Sequence, residues 1–310
     1  MKNFVIIGVS GYIAPRHIDA IKNTNNNLTA CVDLKINSNE IKKIFPNTEC
    51  FSSFELFSQY VESNKGNIDY IVICSPNYLH YDHCVWALKQ GIDVICEKPL
   101  TLNYRELDIL EELERKHEAR LWSILQLRLH ESILKLKDKY SDLTNKSDMT
   151  VDLTYITPRN VDYLKTWKGD IEKSGGVLFN IGLHFFDMLL HIFGELKSNE
   201  VHHKEPHVLS GVISFKFVTV RWFLSILDKH SPYYLEKKDN LTFRSIVFDG
   251  KELNFSSGFD KLHTFAYEKI LIGKGYGISQ NRAVMKLLEE INTKSTTKPT
   301  HTFHPFMDIL

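Results

Sequence analysis

No sign of charge prevails in this sequence: Lys plus Arg number 38, and Asp plus Glu number 38. That balance excludes a global field pulling the protein towards nucleic acid or an anionic membrane. A local cationic patch for a small anion stays open. Proline and glycine are sparse, 9 and 15 of 310 residues, which argues against a collagen-like, linker-rich or low-complexity chain. The five cysteines (Cys31, Cys50, Cys74, Cys84 and Cys96) form no C-x-x-C pair. Odd in number and set in apolar runs, they are expected to be reduced core thiols rather than a disulfide framework. No run approaches the ~18–20 continuous apolar residues of a membrane span. "MKNFVIIGVSGY" has neither a long apolar region nor a small-residue cleavage site, so it does not read as a signal peptide. A cytoplasmic location is expected.

What is present is a chain long enough for two domains, with 43% hydrophobic and 25% charged residues. Short apolar runs at 4–9, 28–33, 68–74, 92–97 and 120–126 alternate with amphipathic stretches such as "APRHIDAIKN" and "NYRELDILEELERKHE". Strands this apolar suit a parallel sheet covered on both faces, so residues 1–125 are predicted to form an α/β Rossmann domain with a doubly wound sheet. After about residue 125 the segments 148–158, 207–228 and 241–255 are long, β-rich and partly alternating, with Asp249-Gly250 suited to a hairpin turn. Residues 126–310 are therefore expected to form an α+β domain with a large, mostly antiparallel sheet. The interposed helix falls at 181–194, helical patterns return after 258, and 139–148 reads as a loop.

Four motifs carry chemistry. "GVSGYIA" (8–14) follows the first strand, where small residues let backbone amides approach a pyrophosphate at a helix N-terminus. Gly8 and Gly11 fit that need, while Ser10 and Ile13 stand where glycines are usual; Tyr12 lies between them. Asp33 closes the second strand, where a carboxylate accepts hydrogen bonds from an adenosine ribose and repels the phosphate of NADP. "CSPNYLH" (74–80), with Ser75, Asn77 and His80, and "EKP" (97–99), with Glu97 and Lys98, also follow strands. Loops at carboxyl ends of strands line the ligand crevice of a doubly wound sheet. In "SGGVLFNIGLHFFD" (174–187), Asn180 and His184 are spaced i, i+4 on one helix face. The histidines show no paired ligand spacing, so no metal site is expected.

Together these motifs resemble the Gfo/Idh/MocA oxidoreductases over the whole chain. "LQLRLH", "WKGDIEKSGG" and "NIGLHFFDM" bring the resemblance closer to the WlbA/WbpB group of UDP-N-acetyl-2-amino-2-deoxyglucuronate dehydrogenases. The resemblance implies NAD as cofactor, held by the glycine loop, Asp33, the 74–80 loop, Glu97, Lys98 and Trp167. It implies oxidation of the 3′-hydroxyl of UDP-N-acetylglucosaminuronic acid to a 3-keto sugar nucleotide, in O-antigen and lipopolysaccharide sugar synthesis. An aminotransferase acts downstream. Some members of the group reoxidise NADH with 2-oxoglutarate, and many in the family are homotetramers. "VRWFLSIL" (220–227) could line such an interface or this subunit's own core. Lys98 and His184 are the expected catalytic residues, with either able to take the hydroxyl proton. Arg128, Arg159, Lys168 and Asn180 are the expected substrate contacts, because a uronate and a diphosphate call for arginine forks and lysines. Two other readings stand beside this one: an oxidoreductase of the same family acting on another sugar nucleotide, a free sugar or an inositol, and a non-catalytic dinucleotide-binding regulator.

Overall fold

The computed structural model describes residues 1–140, 149–238, 240–248, 250–253, 258–299 and 302–310. The chain clusters into two units: 1–126 with 260–282, and 127–259 with 283–310.

In the first unit six strands form one sheet: β1 (Asn3–Ile7), β2 (Asn27–Val32), β3 (Glu49–Phe51), β4 (Tyr70–Ile73), β5 (Asp93–Cys96) and β6 (Leu121–Ser123). Their order is β3-β2-β1-β4-β5-β6 and every pairing is parallel. Parallel neighbours need crossovers, and helices supply them: α1 (Ala14–Asn23), α2 (Ser38–Ile44), α3 (Phe54–Asn64), α4 (Asn77–Lys89) and α5 (Glu106–His117). The four residues of β4 are all buried, as a doubly covered strand requires. α5 shows why such segments are helical. Glu106 and Asp108 sit in its first turn and Arg115, Lys116 and His117 in its last, each complementing the helix dipole. The strand order reverses between β1 and β4. There the carboxyl ends of neighbouring strands splay their loops apart and open a ligand crevice.

The second unit begins with α6 (Glu131–Tyr140) and carries another six-stranded sheet. Its strands are β7 (Met149–Ile156), β8 (Ser198–Glu205), β9 (Val208–Ser214), β10 (Val218–Ser225), β11 (Phe243–Phe248) and β12 (Lys251–Glu252), in the order β12-β11-β7-β10-β9-β8. Only the central β7–β10 pair is parallel. Two one-turn helices, α7 (Val161–Leu164) and α8 (Ile171–Ser174), precede a π-helical turn (Leu178–Gly182) that runs into α9 (Leu183–Phe193). Along β10, Val220, Trp222 and Leu224 are buried within the unit, and the Phe186 ring of α9 meets Trp222 edge-on at 5.2 Å. Arg221 points to the other face and forms a two-pronged ion pair with Asp152 of β7. The 220–227 segment is thus this unit's own core: Trp222 and Phe223, on opposite faces of the sheet, are both 0% exposed.

Several expectations change. β3 and β8 escaped the sequence reading: β3 is a three-residue edge strand and β8 is polar, so neither shows an apolar run. Residues 260–282, assigned from sequence to the second domain, cluster with the first unit; their α10 (Leu262–Leu271) packs on α1. α11 (Ile278–Thr293) follows, and the boundary between the units falls within it. The loop expected at 139–148 lies almost wholly outside the described residues. So does Asp249 of the hairpin turn, though Phe248 pairs with Lys251 and Gly250 has φ +77°. The segment Ile171–Phe193 is long and apolar enough to pass for a membrane span by length and composition. However, 72% of that apolar window is buried inside the protein, the behaviour of a core helix.

Buried histidines make stability depend on pH. Burial lowers the pKa of His304 to about 4, from an ordinary 6.5. Its Nδ1 accepts the Phe306 N–H, and its Nε2 meets the Thr154 hydroxyl at 3.0 Å. Between those two pKa values the unfolded chain binds the proton and the folded one does not, so stability is full above 6.5 and falls as pH drops towards 4. One such group sets a slope of at most about 1.4 kcal/mol per pH unit. Melting curves between pH 7 and 4 are expected to show this fall, and His304→Asn is expected to make it shallower.

Candidate active site

In the first unit three loops emerge from the carboxyl ends of β1, β4 and β5. Gly8 has φ +83°, and a Cβ there would stand 2.7 Å from the backbone of Cys74 and Ser75. Only glycine allows that approach. A Cβ on Gly11 would likewise come within 3.2 Å of the Cys74 carbonyl. Ser10 is used differently: its N–H donates to Asp33 Oδ2 (3.0 Å) and its hydroxyl to the Lys35 carbonyl (2.9 Å). The serine in a glycine position ties the loop to the end of β2. Helix α1 starts after Ile13 without a side-chain cap, and Tyr12 is 84% exposed. A close glycine turn, an uncapped helix end and an aspartate at the tip of β2 fit a dinucleotide.

The 74–80 loop is held from inside. Ser75 Oγ lies 2.8 Å from His83 Nδ1, within hydrogen-bond distance, and burial lowers the His83 pKa to about 4, so the ring is neutral. Asn77 is buried at the first residue of α4. His80, expected to touch the cofactor, is 1% exposed and spends its ring on the backbone. Its Nδ1 lies 2.6 Å from the Pro99 carbonyl and its Nε2 2.7 Å from the Ser75 carbonyl. His80 therefore joins two loops.

One of those loops is the "EKP" turn, whose Lys98–Pro99 peptide is cis. Glu97 is 6% exposed. Its Oε1 accepts from His17 Nε2 and His263 Nε2, both at 2.9 Å, and its Oε2 accepts from the Lys98 backbone N–H at 3.2 Å. Burial pushes the Glu97 carboxyl up, but the hydrogen bonds from the two imidazoles outweigh it and hold it well below the usual carboxylate range. Glu97 is thus the anchor of the lysine turn, and Lys98 itself is half-buried.

The second unit holds the remaining candidates. Asn180 sits in the π-helical turn and His184 in the first turn of α9, both half-buried. Such turns concentrate at functional sites. Asn180, Lys168 and Tyr163 line one hollow together with Gly176 and His207. The Arg159 guanidinium lies 4.9 Å from the Tyr163 ring centre, and the Lys168 ammonium lies 5.7 Å from it and 5.8 Å from the Trp167 ring. Burial and the nearby Arg159 lower the Lys168 pKa below its ordinary value. Two cations crowded on one aromatic ring form a site that an anion stabilises. Arg128, expected to join them as an anion fork, is buried instead. It grips Asp187 of α9 with Nε (2.9 Å to Oδ2) and Nη2 (2.6 Å to Oδ1). Burial raises the Asp187 pKa above its ordinary value, and Arg128 opposes that. No spacing in the sequence links Arg128 to Asp187, nor Glu97 to His17 and His263.

Comparison with known proteins follows the same lines. Residues 2–124 match the Gfo/Idh/MocA family's "Oxidoreductase family, NAD-binding Rossmann fold", and residues 148–222 match its "C-terminal alpha/beta domain". The WlbA (WbpB) dehydrogenase of Thermus thermophilus has been solved with NAD and alpha-ketoglutarate, and with NAD and UDP-GlcNAcA. It superimposes with a TM-score of 0.92 at 40% identity, over 99% of this chain and 100% of that one. Two Bacillus subtilis proteins are more distant. Glucose-6-phosphate 3-dehydrogenase is 27% identical over 198 residues, 62% of this chain and 54% of its own length. The scyllo-inositol 2-dehydrogenase (NADP(+)) IolW is 25% identical over 221 residues, 69% of this chain and 60% of its own length. The match spans little more than half the length of these two relatives.

Two outcomes are expected. Arg128→Met alone strands a buried carboxylate and is expected to cost about 3–5 kcal/mol. Adding Asp187→Leu is expected to restore much of that in denaturant melts. Gly8→Ala forces a Cβ into the Cys74 backbone at an unfavourable φ, a strain of about 1–3 kcal/mol. Calorimetric titration with NAD is expected to show at least a tenfold loss of affinity.

Proposed function

Because the chain belongs to the Gfo/Idh/MocA oxidoreductase family, we propose that it oxidises the 3′-hydroxyl of UDP-N-acetylglucosaminuronic acid with NAD. The product is a 3-keto sugar nucleotide. The observation that carries this reading is the full-length likeness, at 40% identity, to the Thermus thermophilus dehydrogenase seen with NAD and UDP-GlcNAcA. The alpha-ketoglutarate complex of that protein supports 2-oxoglutarate as the acceptor that reoxidises NADH. The same reading carries a role in O-antigen and lipopolysaccharide sugar synthesis, a downstream aminotransferase, a cytoplasmic location and a homotetramer.

When bound, NAD supplies the hydride acceptor; the chain's own residues manage the proton and the charges. In this reading His184 takes the hydroxyl proton, and Lys98 donates a hydrogen bond to the same oxygen and stabilises its developing negative charge. Asn180, an amide, orients the sugar without exchanging protons. Arg159 and Lys168 meet the anionic groups of the substrate. Arg128 is left out of that set because its guanidinium holds Asp187. A second reading, oxidation of a phosphorylated sugar or an inositol, is favoured by the names of the more distant relatives.

Purified protein incubated with NAD and UDP-N-acetylglucosaminuronic acid is expected to form NADH and a keto product two mass units lighter than the substrate. Added 2-oxoglutarate is expected to sustain further turnovers. Turnover of glucose 6-phosphate or an inositol, with none of the uronate, would replace the proposal with the second reading. Lys98→Met and His184→Asn are each expected to lower kcat by about 10²–10⁴-fold. Comparing their pH profiles assigns the base, since the variant lacking the base loses the acid limb of the profile.

A further inference from the structure

We propose that His17 and His263 are positioning residues that set the Lys98 turn through Glu97. The inference rests on the reading of Lys98 as a catalytic residue. Glu97 is the residue before Lys98, and one of its carboxylate oxygens accepts the Lys98 amide itself (3.2 Å). The carboxylate therefore fixes the peptide plane from which the lysine side chain departs. The other oxygen is held by the two imidazoles, each at 2.9 Å. His17 is 0% and His263 2% exposed. A carboxylate this buried is tolerated only with donors around it.

The partners of each ring point the same way. Tyr267, fully buried on α10, lies 2.8 Å from His17 Nδ1. Burial pushes the His17 pKa below its ordinary value. The Glu97 carboxylate can only accept, so a neutral His17 carries its single proton on Nε2 and accepts the Tyr267 O–H at Nδ1. His263 Nδ1 is buried with no hydrogen-bond partner among the described residues. Glu97 is therefore the hydrogen-bonding purpose of this imidazole, and packing alone needs no ring nitrogen. His263 and Glu97 lie 166 positions apart in sequence, and α10 brings them together after the chain has passed through the second unit. The same three ligand atoms lie within 4.8 Å of one another, so a metal ion is the competing occupant that the experiment addresses.

The experiment uses the full-length protein with His263→Leu and His263→Gln. It reads kcat, the dissociation constant of NAD, melting temperature, bound metal and hydrogen exchange at the Lys98 amide. His263→Leu is expected to lower kcat by roughly 10- to 100-fold, leave NAD affinity within about twofold, and speed exchange at Lys98. His263→Gln, whose amide can donate to Glu97, is expected to recover at least part of both losses. Three results overturn the proposal: wild-type kcat and exchange in His263→Leu; NAD affinity lost in step with kcat and no recovery in His263→Gln; or one equivalent of zinc in the purified protein. The exchange measurement needs no substrate, so it fails or holds independently of the assigned reaction. If His263→Leu does not fold, Glu97→Gln serves in its place. Its amide cannot accept from both imidazoles and from Lys98, and the same slower turnover and faster exchange are expected.

Discussion

A carboxylate buried at the end of a parallel strand has to be surrounded by donors, and three segments of the first unit converge to meet that need. Glu97 draws on α1 for His17, on α10 for His263 and on its own following peptide for the third donor. Leaving such a charge unpaired costs several kcal/mol, so an apolar helix could cover this part of the sheet but could not replace α10. The chain supplies one of these donors late. Having built the second sheet, it returns to complete the first unit.

That return was the part of the fold least legible in the sequence. Periodicity shows what kind of element a segment forms, and α10 and α11 were visible as helical patterns after residue 258. It does not show which sheet a helix covers, because an amphipathic stripe fits any apolar face. The strands illustrate the same limit. β1, β2, β4 and β5 are covered on both faces and stand out as apolar runs. The edge strands β3 and β8 are short or polar, and the ladder hydrogen bonds that define them leave no trace in composition.

The site was legible where a residue's role depends on its own neighbourhood. Gly8 is needed because the Cys74 backbone passes 2.7 Å from where its Cβ would stand, and a glycine after a strand announces such an approach. Roles that depend on a distant partner were not legible. "LQLRLH" displays an arginine just past a strand, but its carboxylate partner, Asp187, lies 59 positions on. His80 stands in a loop that could face a ligand, yet the Pro99 and Ser75 carbonyls claim its ring. Ser10 looked like a departure from the glycine pattern and turns out to be a tie between the ends of β1 and β2.

The charges of the second unit divide by the same logic. Arg128 and Asp187 neutralise each other in the interior, and Arg221 and Asp152 do so on the sheet. Arg159 and Lys168 are arranged differently: both lean on the Tyr163 ring, and burial, with the positive charge of Arg159, lowers the proton affinity of Lys168. Two like charges held together gain little from an aromatic face compared with what a shared anion offers, since the anion removes their repulsion as well as pairing with each. A chain with no net charge thus still carries a local positive patch, because such a patch depends on where its cations are crowded rather than on how many it has.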